Sequence, residues 1–254
     1  MLKPDRFKIH VRDWRGYLLA FILGILSILI GLILSKISRL AFPLAMTLMI
    51  YPLYYLDLKE GRNWDAAYHV LMWALSSSLT LILITMSLGE EIGELILKGN
   101  SYKQEMFRWI RTGAGPEGDP SLFMIPKLTE LGLFSILCFV SAGFLGLFLG
   151  SFLLNYMNYY VGCLFIHSKA GMTWAPILLG WPIYAILRVI GYVNLGVVLS
   201  IPFFSRLLGA SFDGKQVKKQ LYLALAMITL DFLLKGTLAN LVYQPILKRA
   251  IELG

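Results

Sequence analysis

Long apolar runs separated by short polar turns dominate the chain. "YLLAFILGILSILIGLIL", "LAFPLAMTLMIYPLYYL" and the C-terminal "LYLALAMITLDFLLKGTLANLVYQP" fit the roughly 20 residues that a helix needs to cross the hydrocarbon core. The pattern predicts spans over 17–35, 40–56 and 66–88, a fourth over 131–153, and a last one over 221–245. Between the last two, 172–210 carries Pro176, Pro182 and Pro202 and reads as one broken span with a re-entrant piece, or as two short spans. Proline removes a helical hydrogen bond and kinks what it does not stop. The expected fold is all-α: a polytopic integral membrane helical bundle of six to seven transmembrane helices, with Pro-broken or re-entrant segments.

This pattern divides the chain into four parts. Residues 1–16 form a basic N-terminal segment and 17–88 hold three spans. Residues 89–127 are the extramembrane piece, and 128–254 carry the C-terminal spans. In the third part "EEIGELILKGNSYKQEMFRWIR" sets Ile92, Leu95, Ile96, Met106, Trp109 and Ile110 among charged residues. That spacing suits helix lying on the membrane surface, with a break at Gly99 and Asn100. "TGAGPEGDPSLFMIP" follows as a Gly/Pro loop. From Leu131 to Ile166 no residue is charged. That is too long for one span, so a separate aromatic segment, "LNYMNYYVGCLFIH", should follow the fourth helix. Its tyrosines suit a headgroup-level belt, or alternatively a cavity lining. Ala142, Gly146 and Gly150 recur every fourth residue, a spacing that lets membrane helices approach closely.

Composition agrees with lipid as the solvent. The chain is 57% hydrophobic and only 15% charged, against about 45–50% and about 25% for soluble domains. The net charge of +8 is scattered at the ends of apolar runs and accompanies no nucleic-acid motif, so no nucleic-acid partner is expected. Lys3, Arg6, Lys8, Arg12 and Arg15 precede the first span, tipping the orientation toward a cytoplasmic N-terminus and suggesting contact with anionic headgroups. The polar lead is long and no A-x-A site follows the first run, so that run reads as a permanent span rather than a cleaved signal. Cys138 and Cys163 lie in apolar runs outside any CxxC pair and read as small buried hydrophobes.

Candidate chemistry centres on the last span. Asp231 and Lys235 are four residues apart, so they share a helix face and can touch. Each costs about 2.5–3.5 kcal/mol at mid-bilayer even on the lenient scale. The pair is either a titrating, solute- or ion-binding site or a structural lock on helix register. Arg188 is either inside the bundle, where it could hold an anion or neutralise Asp231, or at an interface next to the breaks at Pro182 and Gly191. Asn194 in the same segment and Glu130, read as a first-turn carboxylate of the fourth span, complete the candidates. His10, His69 and His167 do not make a matched haem pair. "GEEIGEL" has the paired glutamates of intramembrane CAAX proteases without the arginine three residues on, and no HExxH occurs. No cofactor or metal is expected.

Two short stretches resemble known families. "FPLAMTLMIYPLYYLDLKEG" looks like the early Pro-containing helix of arsenite and bile-acid-type permeases, and "RVIGYVNLGVVLSIPFF" is similar to a helix entry in the Yip1 group of trafficking proteins. "YPLYYL" is also echoed by "WPIYAI", as in transporters built from inverted repeats with Pro-interrupted helices. The remainder of the chain follows none of these plans, and no family is assigned.

The leading reading is a small permease of the cell (inner) membrane for an ion or small solute, with proton coupling through Asp231. An alternative is a non-catalytic subunit or scaffold that binds a membrane partner or a second copy. A third is a lipid-modifying enzyme, with Glu117 and Asp119 bordering a headgroup-level cleft.

Overall fold

The computed structural model describes residues 14–252. The basic cluster up to Arg12, and His10 with it, lies outside the described residues. Among those described there is no strand, and most of the backbone is helical. That is the expected outcome where lipid offers no hydrogen bonds to an open backbone. Six stretches are long and apolar enough to cross a membrane: Trp14–Ser35, Ala41–Lys59, Asn63–Leu88, Pro120–Val140, Trp174–Leu208 and Gly214–Ala250. The chain is an integral multi-pass membrane protein.

Helices α1 (Trp14–Ser35), α2 (Ala41–Lys59) and α3 (Asn63–Leu88) form the first group. α1 and α3 run parallel, with Tyr17 beside His69 and Gly24 against Trp73 and Ser76. A Cβ on Gly24 would lie 2.6 Å from the Trp73 carbonyl oxygen. The missing side chain is what lets the two backbones meet. α1 turns Leu26, Leu29 and Ile33 outward, the face that lipid covers.

The surface piece differs from expectation in two ways. Its first part is a 3₁₀ turn, Glu90–Leu95, and α4 runs Gly99–Thr112. The break falls at 96–98, where Lys98 takes φ +61°, and Gly99 opens the helix instead of ending one. Met106, Trp109 and Ile110 are buried, because α4 packs on α6 (Phe144–Ile166) and α10 (Gln244–Ala250). Protein, not lipid, covers its apolar face.

Asp119 caps α5 (Pro120–Val140) by accepting the Ser121 backbone N–H at 2.9 Å. The helix therefore starts inside the expected extramembrane piece and carries Lys127 into the bundle. The charge-free run breaks at 141–143, earlier than expected. There Ala142 and Gly143 both adopt the left-handed region, at φ +52° and +87°. Tyr54 and Ser200 approach Gly143 so closely that a Cβ would meet each at 2.7 Å. The small-residue stripe is thus split: Ala142 makes the turn, and Gly146 packs back on Cys138.

α6 (Phe144–Ile166) absorbs the aromatic segment and is enclosed by α2, α3, α4 and α5. Asn155, Asn158, Tyr159 and Tyr160 are all buried, so they form no headgroup belt. Asn158 gives its amide to Ser78 Oγ and accepts the Trp181 indole N–H, both at 2.8 Å. Tyr159 donates to the Glu90 carbonyl at 2.8 Å. Cys138 and Cys163 are free and buried.

The proline-rich stretch is a short α7 (Trp174–Leu179), a break, and a long α8 (Ile183–Leu208) with Pro202 inside. α9 (Gly214–Leu238) returns antiparallel to α8, and a π turn, Ala239–Tyr243, leads to α10 (Gln244–Ala250). Two backbone bonds, Lys169 N–H to Ala250 and Glu252 N–H to His167, clasp the chain end to the loop after α6.

Candidate functional site

Helices α5, α8 and α9, with the loop before α5, converge on a cluster of charges. Asp231 is fully buried on α9. Its Oδ2 lies 2.5 Å from Lys127 Nζ of α5 and accepts Arg188 Nε of α8 at 3.3 Å. One turn along α9, Lys235 Nζ is 2.8 Å from Glu117 Oε2. The Tyr184 hydroxyl donates to the other oxygen of Glu117 at 2.8 Å. The expected Asp231–Lys235 contact is therefore replaced by two cross-helix pairs. The i,i+4 spacing permits a local pair, but partners from other helices satisfy both charges and tie α5, α8, α9 and the loop together. The Phe123 ring fills the space between the two lysines, with its centroid 5.6 Å from Lys127 Nζ and 5.0 Å from Lys235 Nζ.

The remaining candidates separate. Arg188 sits inside the bundle near the start of α8, with a side chain only 16% exposed, so the interface alternative does not describe it. Glu130 lies midway along α5 rather than in a first turn, because α5 starts at Pro120; it accepts the Tyr192 hydroxyl at 3.2 Å. Asn194 lies outside the charge cluster. Its Oδ1 accepts Gln220 Nε2 at 3.1 Å, and Asn63 Nδ2 donates to Gln220 Oε1 at 2.6 Å. That amide relay joins α3, α8 and α9. Lys127 and Glu117 complete the cluster without having been candidates for it. Their sequence signal is faint: Lys127 flanks an apolar run, and Glu117 stands in a Gly/Pro loop.

Burial pushes the Glu117 carboxyl up, but Lys235, Arg188 and the Tyr184 hydroxyl outweigh it and hold the group below the ordinary carboxylate range. Glu117 is thus the committed partner of Lys235, while Asp119 is a partly exposed helix cap. Neither lines either of the two apolar cavities in the bundle.

Two histidine pairs stand apart from this cluster. Buried His69 bonds Asp57 at 2.7 Å, and Arg62 holds the other Asp57 oxygen at 2.8 Å, closing the α2–α3 turn. His167 and Lys103 both bond Glu90 at 2.7 Å. Burial raises the Glu90 carboxyl, but these two partners prevail and hold it below its usual value. Among the described residues no three His, Cys, Asp or Glu side chains gather as a metal site would require.

A cavity lies between α3, α5, α6 and α8. Its walls include Val70, Phe134, Leu147 and Val193, and Arg188 is the one charged residue lining it. A second cavity adjoins it, sharing Ala74, Leu154, Met157, Ala185 and Val189. The charged cluster therefore reaches an apolar interior space through a single guanidinium. Comparison with family models, curated proteins and solved structures gives no match to this chain.

Proposed function

We propose that the chain is a small membrane permease that moves an ion or small solute, with Arg188 as the binding residue and Asp231 as the acid that controls it. The supporting observation is that Arg188 lines a cavity and also bonds a fully buried carboxylate. A charge inside an apolar bundle is costly, and such residues commonly mark solute or proton pathways. When Asp231 is ionised it neutralises Arg188. When Asp231 takes a proton, the guanidinium is released to an anionic solute, so proton and solute travel together. Lys127 ties Asp231 to α5, and the Lys235–Glu117 pair holds α9 against the loop.

Flux in proteoliposomes tests this reading. Asp231→Asn is expected to abolish transport. The charge-balanced Lys127→Met/Asp231→Asn protein is expected to remain monodisperse and equally inactive, which separates loss of function from misfolding. Flux at the wild-type rate in the double variant overturns the proposal.

A second reading, a non-transporting subunit or scaffold, draws on the internal matching of the charges. Asp231 is met by Lys127 and Arg188, and Glu117 by Lys235, as in a structural lock. A stoichiometric membrane partner on purification, together with no flux of any tested solute, favours that reading.

A further inference from the structure

The first cavity contains donors without acceptors. Arg188 gives its Nε to Asp231, while neither Nη takes part in a hydrogen bond or ion pair with another described residue. Trp73 lines the same cavity, and its indole Nε1 is buried with no partner. Helices α3 and α8 face each other here, since Ala74 and Val189 wall both cavities. Buried donors are almost always paired, and an unpaired one calls for an explanation. An acceptor held by both helices supplies one.

The rest of the lining describes the body of that ligand. Apart from Arg188 the first cavity is walled by aliphatic, aromatic and small residues. The polar groups of the second are already spent, because Asn158 is bonded to Ser78 and Trp181. That second cavity reaches Leu75 and Ile186, which are 45% and 41% exposed on the outer face of the bundle. Lipid covers such a face, so an apolar chain can enter sideways without crossing water.

From this geometry we infer that the cavities bind an amphiphilic anion: an apolar chain lying through both spaces, with a carboxylate or phosphate head on Arg188 Nη and Trp73 Nε1. This names the class of solute for the permease reading and rests on it for transport, although binding stands or falls separately. A planar guanidinium is suited to carboxylate and phosphate oxygens, and an indole N–H can only donate. A cationic or neutral chain would leave both donors unmet.

The test uses the full chain in phosphatidylcholine nanodiscs with a diazirine-bearing palmitate, crosslinked by light and mapped by mass spectrometry. Label is expected on α3, α6 and α8. Excess palmitate or lysophosphatidate should compete it away, the more effective of the two identifying the head, and palmitate methyl ester or hexadecyltrimethylammonium should not. Gly150 lines the cavity, and a Cβ there meets nothing within 4 Å. Gly150→Phe therefore fills the space without a clash at its base and should reduce labelling about tenfold or more, as should Arg188→Gln. Trp73→Phe keeps the bulk and loses the donor, and should weaken competition by palmitate several-fold.

Competition by the methyl ester equal to that by palmitate overturns the anion. Labelling unchanged in Gly150→Phe overturns the cavity. Palmitate binding without flux defeats only the permease reading, and flux of another solute without palmitate binding defeats only this inference.

Discussion

Removing the Asp231 carboxylate should be among the most damaging single changes in the bundle. The group is fully buried and serves two cations at once, Lys127 at 2.5 Å and Arg188 at 3.3 Å. Asp231→Asn keeps the shape but leaves both cations without their counter-ion in an apolar setting. Breaking a buried pair from one side costs about 3–5 kcal/mol, a large part of a stability of about 5–15 kcal/mol. For a chain of this size that corresponds to a fall in melting temperature of roughly 6–20 °C. Lys127→Met should cost less, because Asp231 then still holds Arg188. The double variant Lys127→Met/Asp231→Asn should recover part of the loss, since it leaves one cation uncompensated rather than two. The assay is thermal unfolding in one detergent for all three proteins, followed by size-exclusion chromatography after heating. Asp231→Asn melting with the wild type would refute the reasoning, as would a double variant no more stable than Asp231→Asn.

Arg188→Lys should keep most of the stability, because an ammonium can still pair with Asp231, yet lose anion binding, because the planar fork is gone; melting and palmitate crosslinking measured together check both halves. Gly24→Ala places a Cβ 2.6 Å from the Trp73 carbonyl, where backbone cannot yield, and overpacking of this kind costs about 1–3 kcal/mol; an unchanged melting temperature would mean that α1 and α3 do not meet there. His69→Phe deprives buried Asp57 of one partner while Arg62 keeps the other oxygen, an expected loss of about 1–3 kcal/mol in thermal unfolding. Acid should destabilise the loop side of the bundle. Glu117 and Glu90 both sit below their ordinary value of 4.5, so their stabilisation is complete above that pH and is lost as pH falls through the folded values. Glu117→Gln should flatten this acid slope in a plot of melting temperature against pH.

The fold was legible because its signals are local. An apolar run of span length needs no knowledge of the rest of the chain, whereas the start of α5 at Pro120 was hidden in a stretch that reads as a Gly/Pro loop. Signals failed where the deciding contact came from far away. Nothing within 131–166 reports a turn except Ser141, Ala142 and Gly143. What fixes that turn is the approach of Tyr54 and Ser200, from helices distant in sequence. The aromatic segment that resembles an interfacial belt is interior for the same reason: Ser78, Trp181, Glu90 and Asn100 lie elsewhere in the chain and satisfy its asparagine and tyrosine.

The site follows that rule with a consequence for function. Asp231 and Lys235 stand out because they are charges in an apolar run, and their i,i+4 spacing makes a mutual pair the economical local reading. Lys235 instead reaches Glu117, 118 residues away, and Asp231 reaches helices α5 and α8. A local pair would have left both charges on one helix, free to move with it and sealed from the others. Cross-helix pairing makes the charge state of one buried carboxylate a property shared by three helices. Any proton or anion that changes the partner of Arg188 must therefore act on the packing of α5, α8 and α9 together. A binding event at a single guanidinium can move an assembly only through this kind of coupling, because an interaction that does not differ between two arrangements of the helices cannot shift their balance.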